Sequence, residues 1–324
     1  MQQRRLGKTG FEVSEIGLGL WQLGGDFGPM SDDMATEIMA KANALGVNFW
    51  DTADVYGSGL SESRVRSFPA KAGVTVATKV GRSGTLYPDK YSKQAIKESL
   101  AGSARRLGVE TLDLVQLHTI PTEVMRQGDV FGWMDELQAE GLFKFYGASV
   151  ETVEEGMICL QHPGVSTLQI IFNIFRQDAA KELLPAARDR DVGIIVRLPL
   201  ASGLLSGKFG LATHFAAQDH RYYNRDGQAF NVGETFSGLP FETGVALADE
   251  LKHFVPQGWT MAQMALRWIL DYAPISTVIA GVSKSEQLID NVAAAARPPL
   301  SRELHEQLAG WYIEKVRPHV RGQI

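Results

Sequence analysis

A chain of 324 residues with 44% hydrophobic and 21% charged side chains has the composition of a folded globular protein with a large core. A net charge of −5 without a basic stripe argues against nucleic acid as a partner, because no phosphate footprint is offered. A single cysteine, Cys159, excludes an internal disulfide or a zinc cluster, and the start MQQRRLGKTGFEV lacks a signal-peptide core; with no membrane-length apolar run, a cytoplasmic location is expected.

In chain order, RRLGKTGFEV reads as a hairpin turning at Gly7–Gly10, placed to plug the bottom of a barrel. EIGLGL (15–20) is a short apolar strand, followed by a helix from about Ser31, its cap, to Leu45. VNFWDT (47–52) leads into SESRVRSF, and VTVATKV (74–80) into SKQAIKESLAGSARRLG, which Gly108 stops. TLDLVQLH (111–118) precedes a helix over 133–139, and KFYGASV (144–150) one over 153–160. TLQIIFN (167–173) precedes 179–189, GIIVRLP (193–199) opens the longest irregular section, and STVIAGV (276–282) precedes 285–296.

Eight strands, mostly β-branched, alternate with helices, the pattern of parallel strands buried on both faces. The expected fold is an α/β (β/α)8 TIM barrel, with a doubly wound open sheet as the alternative. Residues 1–324 read as one domain with three additions: the N-terminal β-hairpin, a long functional loop over 200–240, and an extra C-terminal helix over 301–316.

In such a barrel the site lies at the C-terminal ends of the strands. Asp51 ends the second strand, Tyr56 follows on the same loop, Lys79 lies near the end of the third strand and His118 ends the fourth. Each has a plainer reading alone: turn residue, rim lysine or packed histidine. Asp54, between Asp51 and Tyr56, stays a turn residue. Together the four have a chemical logic. A tyrosine is a poor acid at neutral pH, an adjacent ammonium favours its phenolate, a carboxylate compensates the buried lysine, and a histidine orients a carbonyl. That set suits protonation of the alkoxide formed when a carbonyl accepts hydride.

RRLGKTGFEVSEIGLGLWQLGG, DTADVYG, ATKVG, RLGVETLDLVQLH, LQAEGLFKFYGASV, RLPLASGLLSGKF and VIAGVSKSEQLIDNVAAA follow one another along nearly the whole chain. In these stretches the sequence closely resembles the aldo-keto reductase family. The resemblance implies a barrel that binds NADPH, with NADH as the alternative, without a Rossmann domain. It implies Tyr56 as general acid, Lys79 and Asp51 as its tuning pair, and His118 as the substrate-orienting residue.

The familiar nucleotide loops are absent. GLGLWQLGG has Gln22 where GxGxxG needs glycine, and GLLSGKF has too few residues between its glycines for a Walker loop. By resemblance, Gly19, Leu20, Trp21 and Asp51 are among the cofactor-binding residues, and Ser149 and Gln169 hold the nicotinamide carboxamide. Arg197 stands where many members stack a tyrosine, and Val150 where many have asparagine. Leu198, Pro199 and Leu200 bind the cofactor as well, and ASGLLSGK, with Gly203, Leu205, Gly207 and Lys208, offers backbone N–H groups to the pyrophosphate. Gly281, Ser283, Lys284, Gln287 and Asn291 match the adenosine end, where Lys284 is the cation available to a 2′-phosphate. Trp21, Tyr56, Tyr87 and His118 are expected to line the substrate pocket, with Tyr222, Tyr223 and Phe230 as further candidates.

An aromatic pocket with few charges suits a neutral aldehyde, ketone or sugar. The leading expectation is NAD(P)H-dependent carbonyl reduction of a small molecule, with oxidation of a sugar or alcohol as the alternative direction. Two other classes are weighed: a redox-sensing auxiliary subunit with little turnover, and a metal-dependent hydrolase using Asp51, Asp54 and His118. The second lacks a His-x-His pair and would set Lys79 against a cation; no metal is expected. The sequence leaves monomer and homo-oligomer open.

Overall fold

The computed structural model describes residues 1–324. Two short antiparallel strands, β1 (Gln3–Arg5) and β2 (Glu12–Ser14), form the N-terminal hairpin. Eight strands follow: β3 (Ile16–Gly19), β4 (Phe49–Asp51), β5 (Thr75–Val80), β6 (Leu112–His118), β7 (Phe143–Ser149), β8 (Val165–Ile171), β9 (Gly193–Arg197) and β10 (Ile275–Gly281). They close in sequence order, all parallel, with β10 pairing back to β3. The result is a (β/α)8 barrel with helices packed around it, as the alternation predicts.

The pleat explains how an apolar barrel comes to hold a polar site. Phe49, Ala77, Leu114, Ile195 and Ile279 meet inside the barrel with Leu6 and Val13 of the hairpin, forming an apolar floor. Side chains on one face of a strand recur every second residue. Two residues further along the same strands stand Asp51, Lys79, Gln116, Arg197 and Gly281. The intervening residues, such as Trp50, Val115, Ile194, Val196 and Val278, join the core beneath the helices. On all of these strands but the last, one step of the pleat converts the floor into a layer of buried polar groups.

The hairpin is tied down at that floor. Lys8 N–H donates to Asp191 O, just before β9, at 2.7 Å. Gly7 has φ +50° and lies against the Gly193 backbone so closely that a Cβ would collide with it. Arg4 pairs with the buried Glu15 at 2.6 Å.

The expected helices α1 (Asp32–Ala44) and α3 (Lys93–Leu107) form, with α2 (Leu60–Ser67) between them. Ser31 and Ser92 cap α1 and α3 by accepting N–H bonds, and Gly108 ends α3 at φ +70°. After β6 come α4 (Thr122–Gln127) and α5 (Asp129–Ala139), and after β7 comes α6 (Val153–Cys159). The segment expected as a helix from 179 begins later, as α7 (Leu183–Asp189), with Pro185 in its first turn where no N–H bond is lost.

The irregular stretch after β9 carries one short helix, α8 (His220–Tyr223). It then gives way to two helices the sequence reading did not mark, α9 (Phe241–Leu251) and α10 (Met261–Leu270). Helix α10 is buried on nearly every side, its polar residues Gln263 and Arg267 included. Helix α11 (Ser285–Ala295) follows β10, and the extra C-terminal helix is α12 (Arg302–Trp311), continued as wider and tighter turns to His319.

Candidate active site

Asp51 is the last residue of β4, paired in register with Gly19 and Ala77. Lys79 on β5 is wholly buried, and its Nζ donates to Asp51 Oδ2 at 2.5 Å, Thr52 O at 2.8 Å and the Tyr56 hydroxyl at 3.1 Å. The ammonium also stands 4.7 Å from the Tyr56 ring centroid. Tyr56 is held there by a backbone-to-backbone contact: Gly57, at φ +57°, lies against Gly24, where a side chain would clash. His118 ends β6, its ring edge-on to Tyr56 with centroids 5.9 Å apart. The four expected residues thus converge on one point. Asp54 does not join them; its Oδ2 accepts from Ser99 of α3 at 3.2 Å.

Burial sets the charge states. Burial works against the Lys79 charge, but Asp51 and Tyr56 outweigh it and hold the ammonium above its ordinary value. For Tyr56 the balance is the reverse of the sequence expectation. Burial raises its pKa, and Lys79 only partly pulls it down. The phenol therefore keeps its proton while bonded to a cation, the state a proton donor needs. Burial, together with Arg82, Lys79 and Arg197, drives the His118 pKa well below its ordinary value, so the imidazole is neutral at physiological pH.

Two amides that surround Asp51 extend this group. Gln169 Nε2 donates to Asp51 Oδ1 at 2.8 Å, and Ser149 Oγ donates to Gln169 Oε1 at 3.3 Å. Gln116, absent from the sequence expectation, donates to the same Oδ1 at 3.2 Å. Its signal was the inward alternation Leu114, Gln116, His118 along β6.

The pocket wall combines aromatic and charged groups. Trp21 stacks on Tyr56 with centroids 5.8 Å apart, donates its indole N–H to Asp26 at 2.9 Å, and touches Phe27, His220 and Phe230. Tyr223 packs on Phe230. Tyr87 and Tyr222 are exposed and make no ring contact with this cluster, so the pocket forms without them.

The expectation of few charges is overturned. Arg82 makes two bonds to Glu234, at 2.5 and 3.2 Å, and Arg197 donates to Glu151 at 2.6 Å and lies 3.5 Å from Glu234. Arg82 also sits over the Phe230 ring. Burial and the nearby Glu234 push Glu151 up, whereas Arg82 and Arg197 hold Glu234 down against its own burial. These residues are remote in sequence, and each alone reads as a solvated charge.

A cavity of about 300 Å³ runs from Gln22 and Phe27 to α11. Of the expected cofactor residues, Leu198, Pro199, Leu200, Gly203, Lys208, Gly281, Ser283, Gln287 and Asn291 line it. Leu20 and Leu205 turn into the core, Gly207 ends the preceding turn at φ +70°, and Lys284 stands outside the wall at the start of α11. Phe209, Arg221 and Asp290 are wall residues the sequence reading missed. Gln287 Oε1 accepts from the Ser283 and Lys284 backbone N–H groups at 2.8 and 3.3 Å, which fixes this end of the cavity.

The aldo/keto reductase family model matches residues 15–313. The chain belongs to this family. As an aldo-keto reductase it is an NAD(P)H-dependent oxidoreductase. It is 27% identical to the NADH-specific methylglyoxal reductase of Escherichia coli, across 95% of this chain and 99% of the relative. The glycerol dehydrogenase of Gluconobacter oxydans has a similar structure, with TM-score 0.78 and 26% identity over 100% of this chain and 97% of its own. The holo form of an aldo-keto reductase from Bacillus halodurans matches with TM-score 0.77 and 26% identity over 96% of each chain. No helix here is long and apolar enough to cross a membrane.

Proposed function

We propose that this aldo-keto reductase converts a small aldehyde or ketone to the alcohol, with Tyr56 as the general acid. The observation that carries this reading is Lys79 Nζ, held between Asp51 Oδ2 at 2.5 Å and the Tyr56 hydroxyl at 3.1 Å. A phenol bonded to a buried ammonium gives up its proton more readily than that phenol would without the cation. A neutral His118 donates a hydrogen bond to the carbonyl oxygen and aims it at the Tyr56 hydroxyl. Both groups then serve the oxygen as negative charge develops on it. In the reverse direction the Tyr56 phenolate removes the alcohol proton, so the same residues support oxidation of an alcohol or sugar.

The residues around the cavity fit a nicotinamide dinucleotide. Gln22 Oε1 is buried without a partner beside Gly281, and the turn over 201–207 brings Ser202, Gly203 and Ser206 to the wall with Lys208. When bound, NAD(P)H supplies the hydride. Ser149 and Gln169 would hold the nicotinamide end, Lys208 and the turn backbone would hold the pyrophosphate, and Ser283, Gln287 and Asn291 would hold the adenosine. The wall there includes the carboxylate of Asp290, with Lys284 beyond it, so a 2′-phosphate meets opposed charges and discrimination between NADPH and NADH is weak. Trp21 and Phe230 offer flat apolar faces to the substrate, while Arg82 and Glu234 compensate one another beside it. That surface suits an uncharged carbonyl compound. Residues 1–324 act as one catalytic unit, with loops from several strands completing a single site.

Fluorescence titration with NADPH and NADH, followed by turnover on a panel of aldehydes, ketones and sugars, tests the reading. Tyr56→Phe should bind nucleotide as the parent does and lose turnover by about 10²–10⁴-fold, the scale of general acid catalysis. Turnover undiminished in Tyr56→Phe would remove Tyr56 from the acid role.

A further inference from the structure

Asp51 is held by more than Lys79. While Oδ2 takes Lys79 Nζ at 2.5 Å, Oδ1 accepts amide N–H bonds from Gln169 at 2.8 Å and Gln116 at 3.2 Å. Gln116 is wholly buried, and its own Oε1 has no partner. An unsatisfied buried amide oxygen is costly, and leucine or methionine would fill the position without that cost. Packing alone therefore does not explain glutamine here; its bond to Asp51 does. The register of β6 on β5 sets Gln116 directly opposite Lys79, so the strand that delivers His118 also reaches the ion pair.

Gln116 and Gln169 differ in one respect. Gln169 Oε1 is engaged by Ser149, and in the proposed function Gln169 also serves the nicotinamide end. Gln116 has no other partner.

We propose that Gln116 is a positioning residue of this site: it fixes Asp51 Oδ1 so that Oδ2 stays on Lys79 and Lys79 stays on Tyr56. The inference rests on Tyr56 being the acid. An N–H donated to Oδ1 compensates part of the carboxylate charge and leaves the ammonium less neutralised toward the phenol. The charged groups that act on Tyr56 are Lys79 and Asp51 from the strands and Arg82 and Glu234 from the loops; His118 beside it is neutral. Gln116→Met alters only what Asp51 receives. Without the donor, the Asp51 charge acts more strongly on Lys79 and Tyr56, and Tyr56 becomes the weaker acid.

The direct test is tyrosinate absorbance against pH, read for Gln116→Met and for the parent, each minus its own Tyr56→Phe counterpart. The Tyr56 midpoint should rise by about one pH unit, equivalent to tenfold in acidity. The basic limb of the reductive kcat profile should move with it, while nucleotide affinity stays within about twofold. An unmoved midpoint, or a lower kcat with an unmoved limb, overturns the proposal. If Gln116→Met does not fold, Gln116→Asn keeps the polarity but withdraws the amide from Asp51. It should shift the midpoint the same way, and an unchanged midpoint there overturns the proposal equally. If Tyr56→Phe retains turnover while the Gln116 variants still move the Tyr56 midpoint, the acid assignment fails and the coupling of Gln116 to Tyr56 stands.

Discussion

Asp51 and Asp54 lie three residues apart and end in opposite chemical situations. Asp51 is the last inward position of β4, so it meets Lys79 and two amides. Asp54 lies past the strand, is also buried, and has Ser99 for one oxygen and nothing for the other. Burial, then the nearby Glu62, raise its pKa to about 6, with Ser99 and Arg106 opposing them. A carboxyl that holds its proton more tightly when folded stabilises the protein below its unfolded pKa, near 4 for aspartate, and loses that contribution as pH rises through its folded value. Asp54→Asn stays uncharged and should be more stable than the parent at about pH 8, by roughly 1–3 kcal/mol, with the difference vanishing near pH 4. Thermal unfolding of both proteins across that range checks it; a stability gap independent of pH would remove Asp54 as the cause. Turnover should not change, because Asp54 touches none of the four converging residues. Those four were legible because each sits at or just past a strand end, where a charged or polar residue interrupts an apolar run. Arg82, Glu151 and Glu234 were not. Their meaning comes from partners on other strands and loops, which no local pattern records.

At the scale of elements, the long connection from β9 to β10 supplies much of the wall of the cavity beside the site. Its length and its Gly-rich, aromatic composition were visible in the sequence. Its attachment was not, since Glu234 reaches Arg82 on the loop after β5 and Arg197 at the end of β9. Asn173, just after β8, donates to Leu198 O and Ser237 Oγ, both at 2.9 Å, which ties the start of the connection to its middle. Arg221 in α8 packs on Phe27, Phe209 and Phe215, so cavity wall and tether form one unit. Removing one partner of a buried ion pair leaves the other uncompensated, at a cost of about 3–5 kcal/mol when the pair is fully desolvated. In Glu234→Gln that loss falls on the tether more than on the barrel. We expect faster limited proteolysis between 208 and 235 and dissociation of bound NAD(P)H about tenfold faster, read by stopped-flow fluorescence. Dissociation at the parent rate, with proteolysis unchanged, would show that the ion pair does not fasten the loop.

At the scale of the molecule, the barrel separates stability from chemistry along its axis. The upper polar layer carries Asp51, Lys79, Gln116, Gln169 and Arg197, groups whose burial is costly and is compensated by mutual bonding. The lower end must therefore be apolar and sealed, and the hairpin supplies the seal. That role was readable in RRLGKTGFEV because a turn between two short β-like segments precedes the first barrel strand. The particular fit of Gly7 against Gly193 was not, because two glycines so distant in sequence carry no pairing signal. Leu6 is fully buried among Phe49, Ala77, Leu114, Ile195 and Ile279, at the far end of these strands from Tyr56. Leu6→Ala should then lower unfolding stability by about 2–5 kcal/mol, the cost of a large buried side chain and the cavity it leaves. Because the floor and the site occupy successive layers of the same strands, the variant also tests whether strain passes between them. Folded Leu6→Ala should keep the parent KM for nucleotide and for carbonyl substrate, with urea unfolding showing the loss. A rise in KM alongside the stability loss would mean that the floor sets the spacing of Asp51 and Lys79 as well as sealing the barrel.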